Sequence, residues 1–302
     1  MKRIDIKTGF QCNNCCKFCI QGNKRFLKED KTTREIEQIL EQNCKNFDGV
    51  VFTGGEVTIR KDIFEIVYFA KKCGYKQIQI QTNGRMFFYM DFCKRLIDAG
   101  ANEFALAIHG STNELHDKLT RSKGSFRQTL QGIYNLNKFK QKVITNTVVT
   151  EINYKDLASI AKMLIDAGVF QYQFAFMHIN PIIQNDEKLI EEIVPRYKEI
   201  KPYVEQGIQL GLDSNVRVMA EAFPFCTLNE KYYNCISENY IPETIIIEDN
   251  EAKDFKQIKK NWAKIKEKKC KDCKFYERCE GPWREYAEIF GFKEFIPIKN
   301  KI

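Results

Sequence analysis

Gly9-Phe10-Gln11-Cys12-Asn13-Asn14-Cys15-Cys16-Lys17-Phe18-Cys19 places four thiols within eight residues. Cys12, Cys16 and Cys19 give the spacing C-x3-C-x2-C, with the aromatic Phe18 just before the last cysteine. Three thiolates on one short loop can hold three irons of a cubane cluster and leave the fourth iron without a protein ligand. Iron–sulfur clusters normally take four cysteines, so a three-cysteine loop implies a ligand from outside the chain. Two other readings compete on the residues alone. Cys15 permits a second register, Cys12-x2-Cys15-x3-Cys19, and C-x2-C pairs are common zinc ligands.

Working outward, residues 2–7 alternate apolar and polar side chains and predict a strand that delivers this loop. A helix is expected over 33–46 from Ile36, Ile39 and Leu40, with Thr32 or Thr33 as its N-cap. Strands over 49–53, 77–81, 103–108, 143–150 and 171–177 then alternate with helices over 63–73, 87–99, 125–139 and 154–167. Gly74, Gly100 and Gly168 stop three of these helices, as C′ glycines do. Strand–helix pairs without hairpin signals argue for parallel strands joined by crossover helices. Six such units make a partial barrel or an open α/β sheet. In either, chemistry sits at the carboxyl ends of the strands. The cysteine loop, Gly54-Gly55-Glu56, Thr82-Asn83-Gly84 and His109-Gly110-Ser111 all fall there.

The 302 residues, 43% hydrophobic and 29% charged, suit a globular chain with one large and one smaller domain. Met1-Lys2-Arg3 brings charge at once and no apolar run follows, which argues against a signal peptide. No apolar stretch approaches the roughly 18 residues that span a membrane, so a cytoplasmic protein without a membrane partner is expected. Twelve cysteines, gathered mainly near the two ends of such a chain, point to metal or redox chemistry rather than disulfides. Cys44, Cys73 and Cys93 fall in expected helices and read as small buried apolar side chains. The net charge of +8 attracts acidic partners, but no stripe of arginine and aromatics marks a nucleic-acid surface.

After the sixth strand the character changes. A polar helical stretch is expected over 186–206, a return over 208–218, an aromatic-rich irregular segment over 221–250 and a basic amphipathic helix over 251–269. Cys270, Cys273, Cys279 and then Gly281-Pro282-Trp283 follow. The boundary is placed near Val216, giving domains of residues 1–215 and 216–302.

With the cysteine loop at the start and Gly-Gly-Glu one strand later, the sequence resembles the radical S-adenosylmethionine (SAM) superfamily. The resemblance implies an α/β fold, a partial (β/α)6 TIM-like barrel. It implies that Cys12, Cys16 and Cys19 hold a [4Fe–4S] cluster whose open iron is chelated by the amino and carboxylate groups of SAM. An electron from the cluster then cleaves SAM to a 5′-deoxyadenosyl radical. Gly54, Gly55 and Glu56 match the motif that binds the methionyl ammonium. A carboxylate accepts a charge-assisted hydrogen bond from an ammonium, and glycines let backbone approach a ligand closely. Thr82 and Asn83 match the family's Thr-Asn-Gly and are assigned to the SAM pocket.

His109 stands where many relatives carry a serine or aspartate that touches SAM; it could bond the cofactor or cap the strand. His116-Asp117 and Arg121, before Gly124-Ser125-Phe126, resemble a stretch whose arginine can face the cofactor, with solvent exposure as the alternative for Arg121. Asn146 in Asn146-Thr147-Val148-Val149 resembles the fifth strand of the molybdenum-cofactor cyclase branch, which lines the ribose and adenine.

Cys270-x2-Cys273-x5-Cys279 resembles the middle of the SPASM motif, C-x2-C-x5-C-x3-C, with Trp283 in place of the last cysteine. A full SPASM domain uses seven cysteines for two auxiliary clusters. Only five follow the barrel here, implying one auxiliary [4Fe–4S] cluster in a small cysteine-rich domain of the shorter twitch type. Cys226 is preferred over Cys235 as its fourth ligand, although the same four thiolates could hold zinc. The spare thiol, Cys235, is then a candidate hydrogen-atom donor to a substrate radical. Basic residues over 256–274 suit an acidic leader peptide or a low-potential electron donor such as ferredoxin or flavodoxin, unless they merely solvate a helix. The expected function is a SPASM/twitch-type radical SAM enzyme acting on a peptide or protein. A small-molecule substrate, RNA and a zinc-stabilised binding module are the alternatives.

Overall fold

Ile4 and Ile6 are fully buried on one face of the first strand, β1 (Lys2–Gly9), while Arg3, Asp5 and Lys7 alternate with them on the other. That period of two sets the plan of the molecule: an apolar face under helices and a polar face turned to a hollow. The computed structural model describes residues 2–249 and 251–299. Its sheet continues through β2 (Gly49–Gly54), β3 (Gln77–Thr82), β4 (Glu103–Ala107), β5 (Lys142–Val149), β6 (Gln171–Phe176), β7 (Arg217–Glu221), β8 (Glu243–Glu248) and β9 (Glu251–Asp254). The strand order is β7-β6-β5-β4-β3-β2-β1-β8-β9. All neighbours are parallel except β8 and β9. This is an α/β fold with a mostly parallel sheet.

Helices Thr33–Asn43, Ile63–Lys72, Met90–Ala99, Ser125–Lys138, Leu157–Asp166 and Tyr197–Asp213 cover the apolar face. The first begins with a capping box. The Thr32 hydroxyl accepts from the Glu35 N–H, and the Glu35 carboxylate accepts from the Thr32 N–H. Such reciprocal caps satisfy two orphan donors at a helix start.

The polar face holds a connected set of side chains. Gln77 and Gln79 donate to Glu103, which also pairs with Lys142. Gln173 donates to Asn146 Oδ1 at 3.2 Å and to Glu221 Oε2 at 2.6 Å. Arg3 on β1 lies in the fields of Glu103 on β4 and Glu221 on β7. The sheet therefore curls until β1 and β7 face each other across a polar hollow.

Six strands are expected from the sequence, and the structure adds three. The stretch 208–218 holds the end of helix Tyr197–Asp213, a turn and the start of β7. The segment over 251–269 is no amphipathic helix: it runs as β9, a one-turn helix Phe255–Ile258 and a π-turn Lys259–Ala263. Lys259 and Lys264, 3% and 2% exposed, point inward rather than to solvent. A division after residue 215 would cut through the sheet, because β7, β8 and β9 lie beyond it and form both edges. Among the described residues, no helix is long and apolar enough to cross a membrane.

Candidate active site at the strand ends

The cysteine loop leaves the end of β1 and is fixed on several sides. The Glu56 N–H donates to the Gln11 carbonyl at 2.7 Å, and the Gly55 N–H to the Gly9 carbonyl at 2.8 Å. The Cys15 and Lys17 N–H groups donate to the Thr120 and Leu119 carbonyls at the end of helix Asn113–Thr120, a helix the sequence reading did not anticipate. The Arg85 guanidinium donates to the Asn13 carbonyl and to Asn14 Oδ1, Arg25 donates to the Asn14 carbonyl, and Asn180 donates to the Cys19 carbonyl. Phe18 is buried and packs edge-on against the His109 ring, 4.7 Å between centroids.

Within this frame Cys12, Cys16 and Cys19 are electrostatic neighbours. Burial pushes the Cys16 thiol up, and Cys19 and Cys12 add to that rise; burial likewise raises Cys12. Thiols that resist losing a proton to water become ligands when a metal takes the proton's place. Cys15 is exposed, with the Arg25 guanidinium 3.2 Å from its sulfur. The structure thus groups the C-x3-C-x2-C set and turns Cys15 away from it.

Gly54 and Gly55 serve the loop first. A Cβ on Gly54 would lie 2.1 Å from the Gly9 carbonyl oxygen, and one on Gly55 would lie 2.2 Å from that of Gln11. Gly54 also has φ of +127°, where side chains are strained. Glu56 is 2% exposed, and its carboxylate accepts from the Thr58 N–H (3.1 Å), the Thr58 hydroxyl (2.5 Å), the Thr82 hydroxyl (2.6 Å) and the Asn83 N–H (2.5 Å). Burial raises its pKa while these donors oppose the rise. Glu56 thus ties the end of β2 to the end of β3: Oε1 takes the three threonine donors, and Oε2 accepts from the Asn83 N–H. Asn83 faces the loop, donating to Asn13 Oδ1 at 2.6 Å.

His109 is buried at the end of β4, and burial holds its pKa well below the usual imidazole range, with His116 adding to that. Its Nδ1 accepts from the Val148 N–H at 3.2 Å, which leaves the proton on Nε2. The ring stacks on His116, whose own Nδ1 accepts from the His109 N–H at 3.0 Å. Burial lowers His116 to about 4. Asn146 faces the hollow on β5.

Arg121 fits the solvent-exposed alternative. It is exposed, with φ of +53° at the end of its helix, and no hydrogen bond of its side chain is found among the described residues. Arg85 takes the place beside the loop instead. Its position one residue after Thr82-Asn83-Gly84 was the available signal, and the sequence reading passed over it.

The C-terminal thiols gather separately. Cys226, Cys270, Cys273 and Cys279 line one apolar cavity with Phe225 and Pro282. Burial, then the neighbouring Cys279, Cys270 and Cys273, push Cys226 up to about 12. Phe225 stacks on Phe275 at 4.3 Å between centroids and closes one side. Cys235 is elsewhere: 4% exposed, raised to about 11 by burial alone. It lies near Tyr172, which bonds the Gly207 carbonyl on the helix side of β6. A thiol behind the sheet does not reach the hollow, so the hydrogen-atom-donor role for Cys235 is withdrawn. Trp283 donates from Nε1 to the Phe176 carbonyl and stacks on His178, covering the end of β6.

Among the described residues, no three Cys, His, Asp or Glu side chains converge tightly enough to grip one ion.

A family described as the Radical SAM superfamily matches residues 6–164. The chain is 28% identical over 219 residues to an Fe-coproporphyrin III synthase of Methanosarcina barkeri, covering 71% of this chain and 51% of that one. It is 28% identical over 202 residues to a probable GTP 3′,8-cyclase of Saccharolobus islandicus, covering 65% and 62%. The chain thus spans about half to three fifths of the length of these relatives. Among solved structures it is similar to anSMEcpe with bound AdoMet and the Cp18Cys peptide, with a TM-score of 0.69 and 16% identity over 99% of this chain and 92% of that one.

Proposed function

The chain belongs to the radical SAM superfamily, and from that premise we propose that it modifies a peptide or protein and carries one auxiliary [4Fe–4S] cluster. Radical SAM proteins are enzymes that bind a [4Fe–4S] cluster and SAM. In this proposal Cys12, Cys16 and Cys19 hold the first cluster, which when bound supplies the electron that cleaves SAM to a 5′-deoxyadenosyl radical. Arg85, Arg25 and Asn83 would hold the loop in place for that cluster by their bonds to Asn13 and Asn14. Glu56 acts through Thr82 and Asn83 by holding the ends of β2 and β3 in register. His109, neutral with its proton on Nε2, offers one donor to the carboxylate of SAM. Asn146, tied to Gln173 and Glu221, contacts the nucleoside or the substrate.

The observation that carries the reading is the pairing of a three-thiol loop at the strand ends with four thiols around a second cavity. The fold shared with a peptide-bound structure over nearly the whole chain supports a peptide substrate. A small-molecule substrate is the second reading, supported by the synthase and cyclase relatives. The proposed electron donor is a low-potential ferredoxin or flavodoxin.

Anaerobic reconstitution tests the whole proposal. About eight irons per chain are expected for two clusters, with 5′-deoxyadenosine released after dithionite is added. Synthetic peptides containing cysteine should raise that release above the rate seen with GTP or iron coproporphyrin III. Zinc content with intact SAM would overturn the enzyme reading. Stimulation by GTP or the porphyrin alone would overturn the peptide.

A further inference from the structure

Lys264 is 2% exposed, and its ammonium has no hydrogen-bond partner among the described residues. It lies 3.9 Å from the centroid of the Trp283 ring and 3.9 Å from Glu238 Oε1. Glu238 also accepts from the Ala222 N–H at 3.2 Å. The adjacent Lys259 is already paired with Glu280 at 2.9 Å. A buried charge needs close, well-directed partners to offset the loss of water, and a carboxylate 3.9 Å away supplies only part of that. Burial accordingly lowers the Lys264 pKa, against the pull of Glu238 and Glu280.

Lys264 pairs with Trp283 in an antiparallel bridge and the next residue, Ile265, donates to the Pro282 carbonyl at 3.1 Å, where Pro282 lines the apolar cavity of Cys226, Cys270, Cys273 and Cys279. The Cys279 thiol lies in the fields of both Lys264 and Glu238, which act on it with opposite sign. Four thiolates around an iron–sulfur cluster make an anion in a low-dielectric setting. The potential of such a cluster follows its net charge, its hydrogen bonds and its exposure. Lys266 also lines the cavity but spends its ammonium on the Tyr276 carbonyl at 2.6 Å, so Lys264 is the neighbouring buried cation left without a hydrogen-bond acceptor among the described residues.

We propose that Lys264 is the fixed counter-charge of the C-terminal cluster site and raises its reduction potential, with Glu238 acting in the opposite direction. Lys264 is a positioning residue: it touches neither substrate nor iron and acts through the field at Cys279. The inference rests on the auxiliary-cluster reading above.

Potentiometric titration monitored by electron paramagnetic resonance, on the full chain reconstituted without oxygen, tests it. Lys264→Met should move one of two potentials to a more negative value and leave the other in place. Lys264→Arg, which keeps the charge, should stay near the unaltered protein. Glu238→Gln should move the same potential to a more positive value. A merely structural ion pair would give shifts of the same sign from both neutral variants, or none, and either result overturns the proposal. If Lys264→Met does not fold, Glu238→Gln decides alone, a positive shift upholding the proposal and no shift overturning it. Four irons in the unaltered protein would sink the auxiliary-cluster reading and this inference together. Eight irons with unmoved potentials would sink this inference only.

Discussion

At the N-terminal loop three neighbouring thiols sit among arginine and asparagine clamps at the edge of a polar hollow. At the C-terminal site four thiols surround an apolar cavity closed by stacked rings. The backbone differs as well. The first loop hangs on the ends of parallel strands and the last turn of one helix, while the second site is made of short 3-10 turns and irregular chain. A three-thiol set beside polar groups leaves room for a ligand that reacts. A four-thiol set walled by proline and phenylalanine suits a centre that stores charge. Under the proposed function the same residue type would serve two ends through its surroundings.

The largest expected effect breaks the first half of that contrast. Cys16→Ala should reduce 5′-deoxyadenosine formation to background and leave only about four of eight irons, read by sulfide and iron assay with chromatography. The second half is sharpened by Cys226→Ala against Cys235→Ala. The first should lose the C-terminal iron while still cleaving SAM; the second should keep all iron and lose only about 1 kcal/mol of stability. Iron loss in the Cys235 variant would reverse the ligand assignment. Arg85→Met removes a clamp behind the thiols rather than a thiol, and outer-shell losses of this kind cost roughly 10–100-fold in metal affinity or activity. An unchanged rate and iron content would show that the loop holds itself.

Glu56→Gln should cost roughly 2–4 kcal/mol, because an amide N–H2 would meet donors that now point at a carboxylate. Thermal melting reads this, and a variant as stable as the parent would argue that the carboxylate faces ligand instead. A pH-dependent effect belongs to His116. Its folded-state pKa of about 4 lies below the ordinary value of about 6.5, so its neutral form favours the fold above pH 6.5 and that advantage is lost as pH falls toward 4. The window is worth about 3 kcal/mol at most. Melting curves of His116→Gln should show a shallower decline across it than the parent.

Much of the sheet was legible in the sequence because β1 to β6 alternate with helices whose apolar periodicity is clean. β8 was not, since its partner is β1 and no local pattern reports pairing with a strand at the other end of the chain. Lys259 and Lys264 misled for a related reason. A lysine-rich stretch reads as a solvated helix unless tertiary packing draws individual ammonium groups inward. Spacing offered two registers for the N-terminal thiols and gave Cys270, Cys273 and Cys279 without a fourth partner. The clamp was only hinted at, by Arg85 following Thr82-Asn83-Gly84; the turn at Gly84 with φ of +81° and the left-handed conformation of Arg121 itself, φ of +53°, set the two arginines apart. Glu56 shows a subtler limit, where the motif was visible but the direction of its side chain was not.

One pairing carries a consequence for how the molecule is made. Arg3 donates to the Thr244 hydroxyl, 241 residues later, and β1 lies between β2 and β8. A chain emerging from the ribosome with its amino end first therefore exposes one flank of β1 until the partner strand, 241 residues further on at Thr244, exists. An unpaired flank of that kind recruits other chains, and so distant a closure is slow. Synthesis under conditions that delay completion should yield truncated, aggregating fragments, and iron should enter only after the late strand has docked.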